Sequence, residues 1–143
     1  MADRNTEHAI APASDTEAAA ICSALQAHNR ARIGAFDVTD LQLCVRDKAG
    51  HACGGIVGHV YLGWFAIDVL WVDDAVQGQG IGTRLLRAAE DKARTQGATA
   101  AFLDTFSWQA ETFWRRMGYL EFGRLPDFPD ADARVFLQRR LID

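Results

Sequence analysis

The sequence predicts a mixed α/β (α+β) fold, one sheet flanked by helices in a single domain. Three observations carry this. Strand-like stretches come first in a run and then alternate with helical patterns, which implies a mixed sheet covered by helices. Trp64 to Val72 is almost wholly apolar on both faces, as a strand in the middle of a sheet must be. Ile81, Leu85, Ala89 and Ala93 are spaced by four and form one apolar helical stripe. At 143 residues the chain is long enough to bury roughly two-thirds of its unfolded surface in one core.

The elements follow in order. Residues 1–13 are small and polar and read as a flexible tail. Ser14-x-x-Glu17 offers a capping box, and Ala18, Ile21, Cys22 and Leu25 follow at helical spacing, giving a first helix to about Arg32. Leu41 to Arg46 is a short strand turned by Asp47-Lys48-Ala49-Gly50, and Ile56 to Leu62 is the next, ended by Gly63. The central strand over Trp64 to Val72 leads through a glycine-rich turn into a helix from about Gly80 to Gln96. Arg87/Asp91 and Glu90/Arg94 are expected as i,i+4 pairs on its exposed face, and Gly97 as its left-handed cap. Ala100 to Phe106 is a second buried strand. A short helix then presents Ala110, Phe113, Trp114 and Met117 before Gly118 stops it. Tyr119 to Gly123 and Arg134 to Leu141 close the sheet, and residues 14–143 form one domain.

Composition removes several function classes. The net charge is -4, and the only paired arginines outside a mixed context are Arg115-Arg116 and Arg139-Arg140, so no basic stripe for nucleic acid is present. Cys22, Cys44 and Cys53 are widely spaced without a CxxC pair, which argues against a disulfide framework and a zinc site; no metal is expected. Residues 1–12 contain Asp3 and Glu7 and no apolar run, unlike a signal peptide, and no stretch is long enough to span a membrane. The expected location is the cytoplasm.

The segment Gln77-Gly78-Gln79-Gly80-Ile81-Gly82-Thr83 lies between a buried strand and an amphipathic helix. Glycines at alternate positions let the backbone approach a ligand, and N–H groups at a helix start favour phosphate oxygens. A P-loop would need a lysine after Gly82, where Thr83 stands. A dinucleotide fingerprint from Gly78 would need glycine at Thr83. Both nucleotide motifs fail.

Gln77-x-x-Gly80-x-Gly82 resembles the Q/R-x-x-G-x-G/A pyrophosphate motif of the GNAT acetyltransferases. Leu70-Trp71-Val72 before it, and Ala110-x-x-Phe113-Trp114-x-x-x-Gly118-Tyr119 after it, are similar to the flanking segments of that family. The resemblance covers residues 64 to 122 most strongly. It implies a mostly antiparallel sheet with a splayed parallel strand pair, and acetyl-CoA as co-substrate. It implies that amides from Gln77 to Thr83 hold the pyrophosphate, and that backbone near Leu70, Trp71 and Val72 holds the pantetheine arm. Ser107 stands where the family often has an asparagine near that arm. Family members often dimerise, which leaves a homodimer open.

Acetyl transfer needs a neutral amine and a route for its proton. Asp68 is the candidate base, the only charged residue of the central strand, where burial would raise its pKa; a buried structural aspartate is the competing reading. Asp104 is the reserve. The resemblance implies a tyrosine general acid where Trp114 stands, and an indole donates a hydrogen bond without transferring a proton. Tyr61 and Tyr119 are the available substitutes, Tyr119 being expected in the core. Trp64, Trp108, Phe106 and Phe128 are candidates for an acceptor pocket, whereas Trp71 is expected in the core. The function implied is transfer of acetyl to a primary amine of a small molecule. A CoA-binding sensor or interaction module with weakened catalysis is the alternative.

Overall fold

The computed structural model describes residues 8–143. Of the expected tail, residues 1–7 lie outside the described residues, and residues 8–13 form neither helix nor strand. The chain divides into two compact units, one ending at Phe36 and the other spanning Asp37–Asp143. The first carries helix α1 (Asp15–Ile33). Its capping box forms: Glu17 N donates to Ser14 Oγ at 3.1 Å and Ser14 N donates to Glu17 Oε1 at 3.0 Å. These bonds hold the Glu17 carboxyl below its usual range.

The second unit contains β1 (Thr39–Arg46), β2 (Ala52–Tyr61), β3 (Trp64–Val72), α2 (Ile81–Thr95), β4 (Ala100–Phe106), α3 (Glu111–Arg116), β5 (Leu120–Leu125) and β6 (Arg134–Arg140). They form one six-stranded sheet in the order β1-β2-β3-β4-β6-β5. Every neighbouring pair is antiparallel except β3–β4, which is parallel, so the mixed sheet read from the sequence is present. Strand β2 begins four residues before Ile56. Its first residues, Ala52-Cys53-Gly54-Gly55, carry little strand propensity, yet Ala52 pairs with β1 and Gly54 and Gly55 pair on both sides. Gly54 is small because α2 passes close: an added Cβ would meet Ile81 Cγ2 at 3.2 Å.

Helix α2 buries Ile81, Leu85, Leu86, Ala89 and Ala93 against a core that includes Leu41, Ile56, Phe65 and Leu103. At its end Gly97, with φ 93°, donates to Arg94 O, and Ala98 N donates to Ala93 O, the double bond of a Schellman cap. The expected Arg87–Asp91 and Glu90–Arg94 pairs are not the ones formed. Arg87 meets Glu90 and Arg94 meets Asp91, both at 2.7 Å. The reason is that Glu90 lies one turn after Leu86 on the buried stripe, with no exposed surface. There it also accepts from Tyr119 Oη at 2.9 Å and from Arg139 Nη1 at 2.6 Å.

Strand β3 corrects a second expectation. Trp71 is 52% exposed, outside the core. Pairing with β2 runs Val57 to Val69 and Gly58 to Ile67, so Asp68 is an extra residue, a β-bulge. An extra residue reverses the alternation beyond it. Phe65 and Ile67 point inward before the bulge, whereas Leu70 and Val72 pack against the core after it and Trp71 turns out.

Candidate active site

The parallel ladder between β3 and β4 is short. It joins Trp64, Phe65 and Ala66 to Ala100, Ala101 and Phe102, and then stops. From Ile67 and Leu103 onward the strands diverge, and each keeps a ladder only on its far side, β3 with β2 and β4 with β6. The opening is a cavity of about 180 Å³ bordered by Asp68 and Leu70 on one strand, Asp104 and Thr105 on the other, and Gln109 and Trp114 beyond them. Backbone groups facing this opening are free to pair with an extended ligand.

A second cavity, of about 340 Å³, sits at the start of α2 between Val72, Gln77, Gly80, Gly82, Phe113 and Arg116. Gly78 (φ 80°) and Gly80 (φ 75°) adopt the left-handed region, which a side chain would strain. Among the described residues, Arg84 is the first amide of α2 with a backbone acceptor, Gly80 O at 3.1 Å; the N–H groups from Gly78 to Thr83 have none. Free amides at a helix start, with an arginine beside them, suit an anion. The Gln77 side chain does something else: its Nε2 donates to Asp74 Oδ1 at 2.9 Å and to Val72 O at 3.3 Å, fixing the turn. Gln79 is exposed and does not border the cavity.

The two cavities share neighbours. Leu70 borders the first and Val72 the second on β3, as Trp114 and Phe113 do on α3. Sequence reasoning grouped Arg115-Arg116 as a solvated pair. Arg115 does reach Glu111 at 2.8 Å and Glu121 at 3.1 Å, but Arg116 borders the anion-suited cavity. Its spacing of three from Phe113 was the available signal, since residues i and i+3 share a helix face.

Asp68 does not have the burial expected of it. As the bulged residue it turns away from the core, with 53% of its side chain exposed, and its Oδ2 lies 3.3 Å from His59 Nδ1. His59 in turn stacks on Tyr61 with ring centroids 5.2 Å apart. Asp104 is paired with Arg134 at 2.8 Å. Of the two carboxylates at the opening, Asp68 is therefore the one without an arginine. Among the described residues no cluster of three or more His, Cys, Asp or Glu gathers as a metal site. No described helix is long and apolar enough to cross a membrane.

The family model described as the acetyltransferase (GNAT) family matches residues 10–119. The chain belongs to the GNAT acetyltransferase family. An acetyltransferase of Agrobacterium fabrum is 35% identical over 132 residues, covering 92% of this chain and 96% of that one. Blasticidin-S acetyltransferase of Streptomyces morookaense is 41% identical over 95 residues, 66% of this chain and 70% of the relative. The crystal structure of an acetyltransferase from Bacillus cereus superposes with a TM-score of 0.88 at 29% identity, covering 94% of this chain and 99% of that one.

Within this GNAT acetyltransferase several side chains take places that simple motif transfer does not give. Ser107 Oγ donates to Asp132 Oδ1 at 2.9 Å and accepts from Ala133 N at 2.9 Å, so it ties down the β5–β6 loop. Gln109 borders the strand opening instead, its Oε1 accepting from Thr105 Oγ1 at 3.0 Å and Phe106 N at 3.2 Å. Trp114 is buried at the wall of the opening, edge-on to Tyr119 at 5.2 Å. Tyr119 is fully buried with its hydroxyl on Glu90; burial first, and then the Glu90 charge, push its pKa up, so it holds its proton and does not serve as an acid at the site. Tyr61 stacks on His59, the neighbour of Asp68, and does not border the opening.

Proposed function

We infer that this acetyltransferase uses acetyl-CoA to acetylate a primary amine of a small molecule. The observation that carries the reading is the end-to-end arrangement of the two cavities along the free edge of β3. A donor with an anionic end, a polar arm and a reactive tip fits that sequence of surfaces: free amides from Gly78 to Thr83 with Arg116, then the β3 edge over Leu70, Trp71 and Val72, then the opening at Asp68. The relative named for blasticidin S supports a small-molecule acceptor. The matched stretch, residues 10–119, crosses both compact units, which supports treating residues 14–143 as one catalytic domain. We place the reaction in the cytoplasm, where acetyl-CoA is made.

Acetyl-CoA supplies an activated acyl group. The residues of this chain supply the rest. Asp68, half exposed at the mouth of the opening, attracts the ammonium form of the acceptor and takes one proton from it to give the neutral amine. The nitrogen then forms the C–N bond as the C–S bond breaks, and the second proton it loses passes to water or to the departing thiolate. His59 at 3.3 Å orients the carboxylate. The leaving thiol resembles cysteine, with a pKa of about 8.5, and departs as thiolate without a strong acid. That makes Trp114 tolerable where a tyrosine would otherwise stand.

The test is ligand-dependent stability and thiol release. Acetyl-CoA and CoA at 100 times Kd raise stability by about 2.7 kcal/mol, whereas ATP and NAD leave the melting temperature unchanged. Free thiol appears when acetyl-CoA is mixed with an accepted amine. Equal stabilisation by ATP overturns the donor assignment. CoA binding with no thiol release across a broad amine panel favours the sensor module.

A further inference from the structure

We propose that the acceptor is a primary amine carried on a planar aromatic or heteroaromatic ring, held by an aromatic platform on the outer face of the strand opening. This rests on the acetyl-transfer reading above. Phe106 follows Thr105, which borders the opening, and lies on the outward face of β4 two residues after Asp104. Trp108 stacks on Phe106 with centroids 4.4 Å apart and planes 13° apart, and Phe128 stacks on it at 5.5 Å and 23°. Three rings lie nearly parallel, yet Trp108 keeps 54% of its surface exposed and Phe128 40%. Aromatic side chains packed this flat and left this open present π-faces on which another ring can stack, each such contact being favourable beyond its area.

The surrounding charges choose the kind of ring compound. Arg134 binds Asp104 at 2.8 Å and lies over Phe128 at 5.7 Å and Phe136 at 5.5 Å. It therefore braces the platform and neutralises the carboxylate nearest to it. Asp68 is left to meet a cation across the opening, with His59 as its neighbour. A ligand matching both features places its ring on the open face of Trp108 and its ammonium toward Asp68. A saturated polyamine or an amino sugar satisfies Asp68 and leaves the rings uncovered. Gln109, whose oxygen accepts from Phe106 N and Thr105 Oγ1 and which borders the opening, ties the backbone beneath the platform to that opening.

The experiment compares 2-phenylethylamine with 2-cyclohexylethylamine, amines of equal charge and similar bulk that differ in the flat π-face. In the full-length wild type, kcat/KM favours the aromatic member about 3- to 10-fold, the span given by one stacking contact. W108A brings the ratio to about one, W108F keeps most of it, and the KM for acetyl-CoA stays within about twofold in both. Circular dichroism first establishes that each variant is folded, and F128A supplies the same test if W108A is not. Equal use of the two amines by the wild type, or an unchanged ratio in folded W108A, overturns the proposal. If neither amine is acetylated while CoA binds, the transfer reading fails separately. The proposal is then read from equilibrium binding of the same two amines to the CoA-loaded protein: a 3- to 10-fold aromatic preference lost in W108A upholds it, and equal or no binding overturns it.

Discussion

Glu90 is a buried carboxylate whose removal has a calculable consequence. It accepts from Tyr119 Oη, Arg87 Nη1 and Arg139 Nη1 at 2.9, 2.7 and 2.6 Å, and none of its surface meets water. Glu90→Gln keeps the shape, removes the charge and turns an N–H₂ group toward donors. Breaking a buried pair from one side costs about 3–5 kcal/mol. Both arginines are partly exposed, at 42% and 27% of the side chain, so water recovers part of the loss and about 3 kcal/mol is the expected value. An unfolding entropy of about 2.1 cal/mol/K per residue gives about 0.3 kcal/mol/K for this chain, so Tm falls by about 10 °C. Tyr119→Phe removes one charge-assisted bond, about 1.5 kcal/mol or 5 °C. The two losses overlap, so the double variant falls well short of their sum. Alkaline melts add a sign. The Tyr119 pKa is raised above its ordinary value of 10.0 by burial and Glu90, so its contribution is full below pH 10 and declines above it as unfolded tyrosine ionises. The gap between wild type and Tyr119→Phe therefore narrows by about 1.4 kcal/mol per pH unit above 10. Scanning calorimetry from pH 7 to 11 reads both effects. A Glu90→Gln variant melting within 2 °C of wild type, or strict additivity of the pair, refutes the network.

Three further outcomes follow from the site. Gly80→Val forces a branched residue into φ 75°, which costs about 1–2 kcal/mol, and abolishes CoA binding in a titration; normal binding by the folded variant means the anion cradle is elsewhere. Asp68→Asn lowers kcat at least ~10²-fold while the acetyl-CoA KM stays within a few fold, and a folded variant at wild-type rate passes the base role to Asp104 or to water. Gly58→Ala brings a Cβ into overlap with the Ala66 carbonyl and within 2.8 Å of Phe65 Cε1, so Tm falls by about 3–10 °C from 1–3 kcal/mol of strain; an unchanged melt means the strand pairing there yields without cost.

The sequence made the sheet, α2 and the glycine turn before it legible because each is written in local chemistry. Apolar spacing by four fixes the buried stripe of α2, and glycines at 78 and 80 mark left-handed backbone before a helix start. Trp71, Asp68 and Glu90 were misread for one shared reason: which way a side chain points depends on pairing with a distant strand or helix. Asp68 looked buried because its neighbours are apolar, and only the register with Val57 and Gly58 shows it as the extra residue. Glu90 looked exposed because its neighbours in sequence offered partners. Tyr119 and Arg139, 29 and 49 residues away, supply the true ones. Arg116 was hidden in a dipeptide that reads as surface charge, although its partner Arg115 alone fits that description.

The bulge at Asp68 links the chemistry to the architecture. A bulge bends its strand and increases the local twist, and the β3–β4 ladder ends at Ala66, two residues before it. The same inserted residue turns a carboxylate outward at the mouth of the opening it helps create, and moves Leu70 and Val72 onto the inner wall along which a ligand from the α2 cradle would run. Gly58 is the complementary element on β2, since no larger residue fits against the Ala66 carbonyl where the register shifts. In the proposed reading, the position of Asp68 and the route of the acetyl-CoA arm thus depend on one local irregularity. Gly58→Ala therefore carries a second readout: in variant molecules that remain folded, kcat falls together with acetyl-CoA affinity, because both surfaces hang on the same bend. A variant that loses stability yet keeps kcat and KM unchanged would separate the bulge from the site, and the opening would then owe its shape to β4 alone.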